Sequence, residues 1–217
     1  MKKKILALAA IAICASVAAT GTLAYFTSSD EAHNVITSGG VDIELIEKTD
    51  PGNGAALAPF PEEGLSGIMP GGSASKIVSV RNMGESDAWV RVWVNTAISE
   101  PGDPITNPTI KCLPLEIDVN GEMVPVITYD INEKEWFAGE DGYYYYKNPV
   151  PMKKTWDDGT SSFAETVPLF EEVSFAKEMG NEYQNCKVMI DVFAEAIQSD
   201  NNPLEGEDYP GLWPEEY

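Results

Sequence analysis

The chain has 217 residues, with 14 basic residues against 35 acidic ones, a formal net charge of −21 and a single histidine. That length suits one domain with a leader and a tail, or at most two small domains. The acidic surface repels nucleic acid and anionic lipid, and one histidine gives a histidine-based zinc site or a Ser-His triad almost nothing to draw on.

Lys2, Lys3 and Lys4 precede an apolar run from Ile5 to about Ala19, followed by "ATGTLA". This is the order of a secretory signal peptide, which we place at residues 1–25. About 15 apolar residues fall short of the roughly 20 that span a bilayer, so a retained N-terminal anchor is the lesser reading. Cys14 does not mark a lipoprotein, because Ile13 is too large to precede a lipidated cysteine and apolar sequence continues beyond it. Small residues at −3 and −1 place cleavage after Ala24, with Thr22 at −3; cleavage after Tyr25, which leaves Phe26 first, is the other option. Three of the 14 basic residues leave with the leader and none of the 35 acids does, which takes the net charge from −21 to −24. Self-association of such a chain depends on salt, divalent ions or pH.

A short polar segment, residues 26–40, leads into residues 41–199, where the signals are those of strands. "VDIELIEK" alternates, with Val41, Ile43 and Leu45 on one face. A loop rich in Pro, Gly and Ala runs from Asp50 to Gly72, long for a compact domain at about 22 residues. "SKIVSVRN" and "DAWVRVWVNTAIS", separated by "MGES", read as a hairpin. In the second run Ala88, Val90, Val92 and Val94 face one way, and Trp89, Arg91, Trp93 and Asn95 the other. "LEIDVNGEMVPVITYD" holds a clearer hairpin, since Asn120-Gly121 suits a type I′ turn with positive φ at both central residues.

"KEWFAGEDGYYYYKN" follows the same logic around "GEDG". Alternation there puts Tyr143 and Tyr145 on one side and Tyr144 and Tyr146 on the other, one pair in the core and one at the surface. That division argues against a stacking platform for sugars. "TVPLFEEVSF" is a further strand. "CKVMIDVFAEAIQS" contains good helix formers, yet Val188, Ile190 and Val192 alternate against Lys187, Met189 and Asp191, which makes it a strand as well. About eight or nine strands with little helix after the leader predict an all-β antiparallel sandwich of jelly-roll or Greek-key type. The tail, residues 200–217, is acidic and Pro-rich, with Trp213 and Tyr217 as the residues able to dock it.

Removal of the leader leaves two cysteines, Cys112 and Cys186. In an exported protein an even count invites a disulfide. Closing a loop of about 75 residues would stabilise the fold by roughly 4.5 kcal/mol. The alternative is two buried free thiols in the apolar runs "IKCLPL" and "NCKVMI". As nucleophiles both lack a plausible base. No H-E-x-x-H, G-x-S-x-G or G-x-x-x-x-G-K motif is present, and His33 reads as an ordinary polar residue. Carboxylates are too abundant for any one pair to point to glycoside cleavage. Calcium is the one metal with ligands to offer, in "GEDG" at 139–142, "DDG" at 157–159 and "EGED" at 205–208, but none has EF-hand spacing. Neither catalysis nor a cofactor is expected.

"GTLAYFTSSDEAHNVITSGGVDIELIE" resembles the N-terminus of the TasA/camelysin family of Gram-positive bacteria. That pattern is a leader ending in G-T-x-A with an aromatic after it, then a polar segment and an "N-x-x-x-x-G-x-x-D-I-x-L" strand. Here these positions are Gly21, Thr22, Ala24, Phe26, Asn34, Gly39, Asp42, Ile43 and Leu45. "MPGGSASKIVSVRNMGESDAWVRVWV", "DGYYYYKNPV", "TVPLFEEVSF" and "IDVFAEAIQS" resemble later blocks of the family, in order. A usual "PG" before the "T…LF" block is replaced by "PMKKTWDDGTSS".

The resemblance implies a jelly-roll sandwich, secreted after cleavage by a SipW-type signal peptidase, at Tyr25 by similarity. It further implies a subunit or accessory of extracellular biofilm-matrix fibres, built with itself or with a family paralogue. In such fibres the freed segment acts as a donor strand, with Phe26, Val35 and Ile36 filling apolar sites on the next subunit. The membrane is touched only through the uncleaved leader. Two other readings stand beside it: a camelysin-like surface metallopeptidase, and a monomeric surface adhesin using Trp89, Trp93 and the tyrosines.

Overall fold

The computed structural model describes residues 40–61, 69–100, 111–183, 186–200 and Trp213. In chain order its strands are β1 (Ile43–Thr49), β2 (Ala58–Pro59), β3 (Ser73–Asn82), β4 (Ala88–Ser99), β5 (Glu116–Val119), β6 (Glu122–Pro125) and β7 (Ile127–Tyr129). There follow β8 (Trp136–Ala138), β9 (Tyr144–Tyr146), β10 (Lys154–Thr155), β11 (Ser161–Ser162), β12 (Ala164–Glu165), β13 (Phe170–Phe175) and β14 (Lys187–Gln198), with one 3₁₀ turn at Asn181–Tyr183.

Two antiparallel sheets carry the fold. The first runs β2-β1-β3-β13-β7, with β12 also paired to β3; the second runs β14-β4-β9-β8. β5–β6 and β10–β11 are separate two-stranded ribbons. The inner faces meet in one apolar cluster, where Val78 and Val80 of β3 and Phe170 and Val173 of β13 face Val90 and Val92 of β4 and Val188 of β14. β-Branched residues at every second position suit this pleated, half-buried surface. The expected antiparallel β-sandwich is the fold. The terminal run with good helix formers is indeed a strand, because its alternating Val188 and Val192 are buried in the core.

The Asn120-Gly121 hairpin forms as expected. Both residues have positive φ, 57° and 91°, and the Asp118 carboxylate accepts the Gly121 N–H at 2.6 Å. The "GEDG" hairpin also forms, pairing β8 with β9. The Asp50–Gly72 stretch is less irregular than its composition implies, since Ala58 and Pro59 pair with Lys48 and Thr49.

One expected hairpin is overturned. β3 and β4 do not pair; they lie in opposite sheets and face each other across the core. Strands that pair and strands that oppose each other carry the same alternating pattern, so composition does not separate the two cases. The connection is pinned by Asn82, which is fully buried. Its amide donates to the Ser86 and Val150 carbonyls, each at 2.9 Å, and its carbonyl accepts the Gly84 N–H at 2.8 Å. Gly84 is required there, because a Cβ would sit 2.5 Å from the Gly40 carbonyl oxygen.

The cysteines correct a second expectation. Both are free thiols, Cys112 exposed and Cys186 buried. Cys112 bridges to Ser99 on one side of β4, while Lys187, next to Cys186, pairs with Ser99 on the other. A whole strand lies between them, so their backbones are about 10 Å apart at the usual strand spacing, beyond the reach of a disulfide. The Cys186 Sγ instead faces the Glu182 carbonyl at 3.3 Å, and burial holds its pKa above the ordinary thiol value.

Two outcomes follow from these contacts. Asn82→Ala removes three hydrogen bonds, leaves the buried Gly84 N–H without its acceptor, and lowers stability by about 2 kcal/mol in thermal or urea melts. In folded protein comprising residues 26–217, a maleimide reagent labels one thiol, Cys112, and reaches Cys186 only after denaturant is added, as read by intact mass.

Candidate functional site

The second sheet presents the two features that bear on function, an edge strand with no further strand partner among the described residues and a covered outer face. β14 pairs with β4 along its full twelve residues, from Lys187↔Ser99 to Gln198↔Ala88. Among the described residues no strand pairs with its other side. Parity tells which backbone groups point away. The Ser199 N–H donates to the Asp87 carbonyl at 2.8 Å, while Ala88 on the opposite side of β4 exchanges hydrogen bonds with Val150. Odd-numbered residues of β14 therefore bond to β4, and the even-numbered ones, from Val188 to Gln198, direct N–H and C=O away from it. β1 lies alongside β14 at the same flank of the sandwich, and β2 covers only its Lys48–Thr49 end. A long edge of this kind is a template for another strand.

The outer face of a sandwich sheet is ordinarily polar. Here it is aromatic and folded shut. Arg91 opposes Glu195 on β14 and Tyr145 on β9, and Tyr145 opposes Phe137 on β8, so one row of side chains crosses all four strands. The Arg91 Nε and Nη2 donate to Glu195 Oε2 at 2.7 and 2.6 Å. Its Nη1 lies 3.4 Å from the Tyr145 hydroxyl and 3.7 Å from Asp141 Oδ2. The guanidinium carbon sits 3.8 Å from the Tyr143 ring centroid and 4.4 Å from that of Trp213. Trp89, Tyr145, Ile197 and Trp213 form a second buried cluster, separate from the central core.

Burial by itself would lower the Arg91 pKa, but the Tyr145 hydroxyl and the Glu195 carboxylate outweigh it and hold the guanidinium above its ordinary value. The Tyr145 phenol is pushed up to about 12, first by burial and then by donating to Asp141 Oδ2 at 2.5 Å. Tyr129 is likewise raised to about 12 by burial, against the opposing hydrogen bond with Thr96.

Of the residues singled out from the sequence, Tyr144 and Tyr146 pack on the central core as expected. The surface assignment of the other pair is corrected for Tyr145, which is only 1% exposed because Phe137, Tyr143 and Trp213 close over it. Trp89 is 9% exposed and Trp93, stacked on Phe193, is 39% exposed, so of the two tryptophans Trp93 alone keeps open ring surface. Trp213 docks as expected of the tail. "GEDG" and "DDG" are turns: Asp141 Oδ1 accepts the Tyr143 N–H, and Asp158 Oδ1 accepts the Thr160 N–H and hydroxyl. Among the described residues no three His, Cys, Asp or Glu side chains gather as metal ligands. Ala24, Tyr25, Phe26, His33, Val35, Ile36, Tyr217 and "EGED" lie outside the described residues. The Arg91–Glu195–Asp141 network was not anticipated; the one signal for it was a lone arginine between two tryptophans on an otherwise apolar strand.

No family model matches the chain, and a search of curated proteins finds no significant match.

The raised tyrosines set an alkaline limit. Folding favours their neutral form, so their contribution to stability is complete below the ordinary pKa of 10.0 and is lost as pH rises toward about 12. Burial raises Tyr183 as well, and ultraviolet titration of phenolate, run beside circular dichroism, finds Tyr129, Tyr145 and Tyr183 ionising together with alkaline unfolding.

Proposed function

We propose that the chain is an exported structural protein, a subunit or accessory of extracellular matrix fibres, joined head to tail through its processed N-terminal segment. The observation that carries this reading is the twelve-residue β14, whose outward backbone groups from Val188 to Ala196 have no strand partner among the described residues. Residues 26–39, "FTSSDEAHNVITSG", would extend about 45 Å as a strand, against about 40 Å for β14. Main-chain hydrogen bonds supply the attraction, and Phe26, Val35 and Ile36 supply apolar contacts. A contact between the arm of one copy and the edge of the next is heterologous and need not close, so it propagates. An uncleaved leader would hold the arm at the membrane.

The resemblance to the TasA/camelysin family supports the same reading, as does a leader of the kind that a SipW-type peptidase cuts. The high negative charge keeps free subunits apart until salt, acid or calcium screens it.

The test compares three mature proteins by electron microscopy and sedimentation across salt, mild acid and calcium: residues 26–217, the same chain lacking 26–38, and Ala194→Pro. A proline at position 194 removes one outward N–H and leaves the β4 ladder intact, as edge strands tolerate. Fibres are expected only from the first, with unchanged circular dichroism in all three. Fibres from all three, or a lone particle from the first under every condition, would sink the proposal. Metal analysis with a casein assay, and a glycan pull-down, address the peptidase and adhesin readings on the same samples.

A further inference from the structure

We propose that the outer face of the second sheet holds a binding site for an aromatic side chain, built around Arg91, and that Trp213 of the chain's own tail is its resident ligand. The inference does not rest on the fibre reading, since it concerns the tail and the outer face of the sheet and not the N-terminal segment or the β14 edge.

The geometry is that of recognition. The Arg91 guanidinium lies between two rings, Tyr143 at 3.8 Å and Trp213 at 4.4 Å. Tyr143 comes from the second sheet's own hairpin; the second ring is brought in by a residue well beyond the last strand. Glu195 and Asp141 hold the guanidinium in place from its edge, which leaves its two flat faces for aromatic partners. The Tyr145 ring meets Trp213 at 6.2 Å and 64°, an edge-to-face approach, and completes the wall. Trp213 is 6% exposed, as deeply placed as a core residue.

What the site reads is the ring and not its polar atom. The indole Nε1–H is buried with no hydrogen-bond partner among the described residues, although buried tryptophans usually find one. A site selected for indole hydrogen bonding would provide an acceptor; this one provides a cation and two aromatic walls. Its ligand class is therefore any planar aromatic side chain, with phenylalanine and tyrosine fitting the same chemistry. Glu195 stands on β14, so occupancy of the site also braces the row of side chains that reaches the edge strand.

The test uses the full mature chain with Trp213→Phe, Trp213→Leu and Trp213→Ala, and N-acetyl-L-tryptophanamide as the probe. Trp213→Phe keeps a ring and is expected to melt close to the parent, while Trp213→Leu, apolar but without a π face, melts at least about 3 °C lower. The probe raises the melting temperature of Trp213→Ala and leaves the parent, whose site is filled, unmoved. Equal melting of the Phe and Leu variants overturns aromatic recognition, and this comparison stands even where Trp213→Ala does not fold. A probe that shifts parent and Trp213→Ala equally overturns the site.

Discussion

Strand β4 is hydrogen-bonded along both edges and, from Ala88 to Val92, covered on both faces, and that double confinement organises the molecule. On one side it meets β14 over twelve consecutive pairs; on the other it meets β9, Val150 and the segment around Cys112. Its inner residues Ala88, Val90 and Val92 sit in the central core, and its outer residues Trp89 and Arg91 sit beneath a second layer of rings. A strand whose inner face is packed in the core has one register, because a slip by one residue would exchange valines for Trp89, Arg91 and Trp93 in a close-packed interior.

The second layer holds a charge where water has been removed. A buried ion pair seldom stabilises a fold by much over a well-packed apolar substitute. It does punish misplacement, since Arg91 without Glu195 would be an uncompensated cation between aromatic rings. The pair therefore ties the pairing of β4 and β14 to the arrival of the hairpin that carries Tyr143 and Tyr145. Specificity of assembly is the gain, and the acidic neighbours Asp141 and Glu195 are used for it despite the overall negative charge of −21.

The same sheet is closed in one direction and open in another. Its outer face is capped by Trp213, while the edge of β14 is left with a row of outward backbone groups among the described residues. Long edge strands are usually shielded, because they recruit other chains. An acidic chain carries a long-range safeguard in its charge, effective at low salt and weakened by screening. Edge and charge together are what the proposed matrix role draws on, a strand that can recruit another chain and a surface that holds copies apart at low salt.

Period-two alternation and turn chemistry were legible in the residues alone. The valines of β4 and β14 announced strands, and Asn120-Gly121 announced a hairpin, because face and turn are set by neighbours a few positions away. Partners were not legible. The residues of β3 and β4 specify which face is buried and say nothing about whether the two strands lie side by side or across a core; only the long-range packing, locked by Asn82 and Gly84, decided that. The separation of Cys112 and Cys186 by a full strand, the meeting of Arg91 with Glu195 104 positions away, and the arrival of Trp213 on the outer face belong to the same class. Each is a contact between distant segments, and a side-chain pattern encodes the surface that will be covered without encoding what covers it.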